Sequence, residues 1–222
     1  MAEICALRRH LEQGLQQVSA FVLPPVNEAA CDRLIALVTL LVKWNKVYNL
    51  TAVREPQQMI DRHLLDSLVM CRWLPGRSVA GEAVFDVMDV GTGAGFPVLP
   101  LALARPDLQF LSVESNGKKT RFQRQAMLEL GIGNVTVMHT RIADVKDRAQ
   151  LVISRAFAAP GEFLQIAETL CETGGAVAIM LGRADRLPVS VAPAYQLMEV
   201  LEIDVPGTES PRHVALCRRL CG

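Results

Sequence analysis

The stretch Val84-Phe85-Asp86-Val87-Met88-Asp89-Val90-Gly91-Thr92-Gly93-Ala94-Gly95-Phe96-Pro97 constrains this chain more than any other. An apolar, β-branched run ends in three glycines spaced two apart. The pattern predicts a buried strand, a tight loop and a following helix. Glycine lets the backbone turn at φ > 0 and lets a ligand lie close against it. Asp89 stands just before the first glycine, and Pro97 suits the first turn of the next helix, where its missing N–H costs nothing. Such a loop either binds a nucleotide-like ligand or is only a tight turn, and three glycines without a use lower stability. A dinucleotide loop wants G-x-G-x-x-G, with pyrophosphate on the helix N-terminus. Here the spacing is G-x-G-x-G, with Phe96 where the third dinucleotide glycine would be, and Pro97 removes a donor for phosphate. A ligand without phosphate fits better, and S-adenosylmethionine is one.

The length of 222 residues suits one ordinary domain plus an appendage, and half the residues are hydrophobic, enough to bury a large core. With 23 basic and 23 acidic side chains the net charge is zero, which argues against a protein coated in positive charge but leaves room for a local basic patch. Six scattered cysteines form no C-x-x-C pair, so neither a metal site nor a disulfide framework is indicated, and reduced thiols are expected. No apolar signal stretch and no run of transmembrane length is visible, so a cytoplasmic chain with no membrane contact is expected.

In chain order, helical spacing covers residues 3–20, and Pro24-Pro25 breaks it. Asn27 can cap a second helix over about 28–46. A third helix runs from near Pro56 to about Leu74. Trp44 and Tyr48, four apart, read as a packing pair between helices. His63 and Asp66 lie one turn apart; they either hydrogen-bond on a surface or face the glycine loop and shape a substrate pocket. A polar connector from Gly76 to Ala83 marks a domain boundary, dividing the chain into a helical region, 1–76, and a second domain, 77–222. Beyond the loop come a short helix from Val98, a strand from Leu108 to Ser115, and a basic helix over 116–130 that Gly131 stops. Strands follow at 135–138 and 151–153, then a helix near 161–171, a strand from Gly175 to Leu181, and two last strands at 195–203 and 214–217. Strands alternating with helices imply a parallel, doubly wound sheet.

In such sheets the ligand lies beyond the C-terminal ends of the strands. Glu114 closes the second strand, where an acid can accept hydrogen bonds from two ribose hydroxyls. Arg141-Ile142-Ala143-Asp144 follows the third strand, where backbone groups can read an adenine edge. Arg155 follows the fourth, beside the place of a transferable group. Residues 117–155 carry eight basic and three acidic side chains, an excess that is either a solvated face or a dock for nucleic acid.

Trp44-Asn45-Lys46-Val47-Tyr48-Asn49-Leu50-Thr51, Arg62-His63-Leu64-Leu65-Asp66-Ser67, the glycine loop, Ser115-Asn116-Gly117-Lys118-Lys119 and Ile153-Ser154-Arg155-Ala156-Phe157-Ala158 together resemble the RsmG (GidB) family, over roughly residues 40–182. The resemblance implies an α/β, class I methyltransferase fold: a Rossmann-like doubly wound sheet, mostly parallel, with an antiparallel C-terminal strand and a small N-terminal helical region. It implies a bacterial enzyme that transfers a methyl group from S-adenosylmethionine to N7 of a guanosine in a conserved loop of 16S rRNA in the small ribosomal subunit. A monomer without a metal is expected. The resemblance makes Gly91, Phe96, Ile142, Ala143 and Arg155 cofactor contacts, joined by Asp89, Gly93, Gly95 and Glu114 from the loop and strand end. Lys118, Arg141, His63 and Arg183 become RNA candidates. Val98 and Leu181 depart from the family pattern, which has glycine and lysine there, and Arg183 is a candidate to supply the lysine's missing charge. N7 has a free lone pair, so the chemistry asks for positioning and no general base. The rivals are a noncatalytic RNA-binding module on the same fold and a nicotinamide dehydrogenase.

Overall fold

Every residue of Phe85–Val90 is buried, as a strand covered on both faces requires. Val87 points into the hydrophobic cluster on one side of the sheet, and Met88 and Val90 point into the cluster on the other. A computed structural model describes residues 2–76, 85–155, 159–182 and 193–221 of the chain. The strands β1 (Phe85–Val90), β2 (Phe110–Glu114), β3 (Val135–His139), β4 (Ala149–Arg155), β5 (Cys171–Leu181), β6 (Tyr195–Ile203) and β7 (Arg212–Arg219) form one sheet in the order β3-β2-β1-β4-β5-β7-β6. β1 to β5 run parallel. β7 is antiparallel to both its neighbours, β5 and β6. The order reverses at β1, between β2 and β4, so a crevice opens at the C-terminal ends of these strands.

Helices α5 (Val98–Ala104) and α6 (Gly117–Leu130) cover one face, and α7 (Pro160–Ala167) covers the other. The N-terminal helices α1 (Ala2–Gln17) and α2 (Glu28–Tyr48) join the first face. Their Leu11, Leu34 and Leu41 belong to the same buried cluster as Phe110 and Phe122 of the sheet domain, so one continuous core holds both parts. Asn27 caps α2 as expected, accepting from the Ala30 N–H at 2.8 Å. Asn116 caps α6, and Gly131, at φ 63°, ends it. Trp44 packs on Tyr48 at 5.2 Å and edge-on to Phe122 at 5.7 Å, so it serves the contact between α2 and α6.

Four expectations need correction. The helix expected from Pro56 to Leu74 is helical as far as Trp73 but not uniform. α3 (Pro56–Met59) passes into a π-helical stretch (Ile60–Leu65), then α4 (Asp66–Leu68), then a 3-10 stretch (Val69–Trp73). The Asp66 N–H reaches back five residues to the Asp61 carbonyl, so the turn is wider than an α-turn. β5 begins at Cys171, not Gly175, and the helix expected near 161–171 ends at Ala167; Gly174 at φ 77° and a register shift against β4 make an irregularity inside the strand. The short helix begins at Val98 as expected, but Pro97 takes the capping position before α5 and not a place in its first turn. The boundary placed after Gly76 falls on 77–84, which lie outside the described residues. All six cysteines are free thiols, four of them buried. No helix among the described residues is long and apolar enough to cross a membrane.

Candidate active site

The glycine loop leaves β1 and turns above the sheet. Gly91, Gly93 and Gly95 have φ of 67°, 64° and 89°, a region that other residues enter only with strain. Two carboxylates hold the loop from below and from the side. Asp89 is fully buried, and its Oδ2 accepts from the Val98 N–H at 3.1 Å, which fastens the start of α5 to β1. Burial raises this carboxyl to about 6, against the pull of Thr92, the Arg155 charge and the Val98 N–H. Glu114 Oε2 accepts from the Gly93 N–H at 2.8 Å, and Oε1 from the Asn116 N–H at 2.8 Å. The Gln123 amide, itself bonded to Ser112, donates to the Gly93 carbonyl at 2.7 Å. Both backbone groups of Gly93 are thus taken by side chains of β2 and α6. Gly93 nonetheless faces open space: a Cβ there would meet only the Lys119 Nζ, at 3.8 Å. Gly95 is the opposite case, because a Cβ there would lie 2.5 Å from Leu99.

Two cavities flank the loop. The first, about 520 Å³, runs along the ends of β1, β2 and β3, with Glu114, Arg141, Ile142 and Ala143 in its walls. The second, about 270 Å³, lies between the loop and the irregular helical segment, with Thr51, His63 and Phe96 in its walls. Gly91, Lys119 and Arg155 line both, so the cavities are neighbours with two cations on their common wall.

His63 faces the loop, which settles one of the two readings of this residue. Its ring lies 5.0 Å from that of Phe96. Burial, and next the Arg155 charge, lower it to about 4, so it is neutral near pH 7. Nδ1 lies 3.0 Å from the Arg62 carbonyl, which can only accept, so Nδ1 carries the proton. Nε2 therefore receives the hydrogen of the Thr51 hydroxyl, at 2.9 Å. Thr51 is held in turn by buried Asn45, which bonds the Thr51 N–H at 2.9 Å and the Val53 carbonyl at 3.1 Å. The motif from Trp44 to Thr51 thus braces the wall of the second cavity. Asp66 does not pair with His63; it is buried against Arg155 and Arg212.

The structure thus gathers Gly91, Gly93, Phe96, Glu114, Arg141, Ile142, Ala143, Arg155 and His63 around the two cavities. Asp89 and Gly95 sit beneath the loop and shape it. Lys118 is exposed and lines neither cavity. Its neighbour Lys119 lines both, and the sequence reading passed over it. A Lys-Lys doublet carries no sign of which member faces the loop. Gln123, whose amide binds Gly93, marks that face of α6, and Lys119 lies one turn before it. Arg183 lies outside the described residues.

The chain matches the family model GidB, described as rRNA small subunit methyltransferase G, over residues 30–214. It is 42% identical over 200 residues to the Ribosomal RNA small subunit methyltransferase G of Neisseria meningitidis serogroup C (strain 053442), covering 87% of this chain and 91% of that one. It is 40% identical over 222 residues to the protein of the same name from Chromohalobacter salexigens, covering 99% of this chain and 100% of that one. Among solved structures, TrmN from Thermus thermophilus shares the fold, with a TM-score of 0.55 at 16% identity over 72% of this chain and 53% of that one.

Proposed function

The chain belongs to the GidB family, rRNA small subunit methyltransferase G, and from that premise we propose that it methylates N7 of a guanosine in a conserved loop of 16S rRNA. It is an S-adenosylmethionine-dependent methyltransferase acting on small-subunit ribosomal RNA. The observation that carries the reading at the site is the glycine loop locked to Glu114, with the open face of Gly93 at the second cavity.

The residues present fit this cofactor. When bound, S-adenosylmethionine supplies an electrophilic methyl group on a sulfonium centre. Glu114 has lone pairs beyond the two that its backbone partners use, and these suit the hydroxyls of a ribose. Ile142 and Ala143 offer the apolar contact and backbone groups that an adenine needs. Lys119 and Arg155 offer positive charge on the wall shared by the two cavities. Arg141 at the same cleft and Lys118 on the exposed side of α6 suit phosphates of the RNA.

Guanine N7 carries a lone pair at neutral pH, so the protein need not remove a proton before the transfer. His63 agrees with such chemistry, because both its ring nitrogens are bonded within the protein and it stays neutral. The chain's contribution is to hold two reactants in line and to exclude water. N7 lies on the major-groove edge, which is deep and narrow in A-form RNA. The target guanine is therefore unpaired or turned out of its stack when it is methylated.

The test uses small subunits from cells lacking this enzyme, incubated with labelled S-adenosylmethionine. The rRNA is digested to nucleosides and separated by mass spectrometry. Label in 7-methylguanosine is expected; label in another methylated nucleoside overturns the position.

A further inference from the structure

Arg155 ends β4 and lines both cavities, yet only one nitrogen of its guanidinium is bonded to described residues. Nη1 donates to Asp66 Oδ2 at 3.1 Å and to the Arg62 carbonyl at 3.2 Å. The other oxygen of Asp66 accepts from Arg212 Nε at 2.9 Å. Asp66 is 4% exposed and lines neither cavity. We infer that Asp66 is a positioning residue for the methyl transfer: it fixes the Arg155 guanidinium on the wall between the cavities, with Arg212 of β7 as counterweight.

Three physical points support this. An arginine side chain has many rotamers, and ordering it only when the cofactor arrives would weaken binding. Asp66 and the Arg62 carbonyl grip the same nitrogen, so Nη2 and Nε keep a set direction. Two guanidiniums drawn to one buried carboxylate leave one net positive charge, so Asp66 tempers the pair without neutralising it. Arg212 is the first residue of β7 and pairs in register with Ile203 of β6. Through Asp66 the antiparallel end of the sheet reaches a site otherwise built from the parallel strands and the helical segment.

The inference rests on the proposed contact of Arg155 with the cofactor. A carboxylate that merely tied α4 to β7 would leave the same bonds in the structure, so the test must separate the two. Calorimetry measures the S-adenosylmethionine Kd of the full chain with Asp66→Asn, Arg155→Met and both, with thermal melts to show that each variant is folded. Asp66→Asn is expected to weaken binding about ten-fold in the native chain, and to add less than about two-fold once Arg155 is methionine, since coupled neighbours are not additive. An equal loss in both backgrounds, or no loss in the native chain, overturns the positioning role. An unchanged Kd for Arg155→Met alone shows instead that the contact of Arg155 with the cofactor is wrong, and the inference falls with it. Should Asp66→Asn unfold, Asp66→Glu replaces it in both backgrounds; it keeps the charge but moves the carboxylate by one methylene, and the same pattern decides the matter.

Discussion

The two walls of the site are held by different kinds of bond. The wall made by the glycine loop is held by side chains that grip backbone: Asp89 on Val98, Glu114 on Gly93 and Asn116, Gln123 on Gly93. The wall made by the segment from Pro56 to Trp73 is held mainly by side chains that grip other side chains: Asp66 on Arg155 and Arg212, Asp61 on His10, Arg62 on Glu209. Backbone groups have fixed places once the fold forms, so the loop wall is rigid by construction. The opposite wall is set by long flexible side chains that meet only when distant parts of the chain are in place. The first wall should fail when a single carboxylate is removed. The second should fail by degrees, according to burial.

The largest effect expected is from Glu114→Ala. It frees two backbone N–H groups and removes the acceptor proposed for the ribose, with each charge-assisted bond worth about 1.5–3 kcal/mol. Cofactor affinity by calorimetry and stability in urea should both fall; a folded variant with unchanged affinity would reduce Glu114 to a brace for the loop.

Next comes acid behaviour, where the walls oppose each other. The folded state raises Asp89 from 3.8 to about 6, so it keeps a proton that the unfolded chain releases, and stability falls as pH rises through that window. The folded state lowers His63 from 6.5 to about 4, so it refuses a proton that the unfolded chain takes, and stability rises with pH through that window. The two slopes offset each other between about pH 4 and 6. Asp89→Asn should expose the His63 slope alone, a gain of roughly 3 kcal/mol between pH 4 and pH 7 at about 1.36 kcal/mol per pH unit. Denaturant melts across this range check it, and a pH profile identical to that of the native chain would remove Asp89 from the account.

Two glycines sharpen the description of the loop wall. Gly95→Ala should cost about 1–3 kcal/mol of stability, since the new methyl would strain the backbone and meet Leu99. Gly93→Ala should cost about 1 kcal/mol and reduce cofactor binding out of proportion, because its methyl points into open space beside Lys119. If the two variants lose affinity and stability in the same ratio, the distinction is wrong.

The smallest effect is at the outer rim of the other wall. Glu209→Ala breaks the pair with Arg62, but Glu209 is 87% exposed, so a loss of at most about 0.5 kcal/mol is expected in thermal melts.

The same contrast decides what could be read from the sequence. Glu114 lies 21 residues from Gly93, and Asp89 lies nine from Val98. Both pairs sit within one strand–loop–helix–strand unit, whose pattern announces itself in alternating apolar runs and glycines. The partners of Asp66 lie 89 and 146 residues away, and the partner of Asp61 lies 51 away. No periodicity links such positions, so His63 and Asp66 kept two readings until the fold brought the strands together. The irregular turn at Ile60–Leu65 was invisible for another reason: its apolar spacing suits an ordinary helix, and the polar groups that use the wider turn find their partners only in the tertiary structure. Lys119 was missed because adjacent lysines on a helix differ only in direction.

β7 follows β6 in the chain, yet it is an inner strand, inserted between β5 and β6. Among the described residues β6 pairs with no other strand of the sheet, so it has no place there until β7 joins it. Arg212 comes with that strand. On the inference above, Asp66 has its second partner only when β7 is in place, and the clamp on Arg155 is finished from that strand. β7 therefore joins two things that lie far apart in the chain: the attachment of β6 to the sheet and the second partner of Asp66.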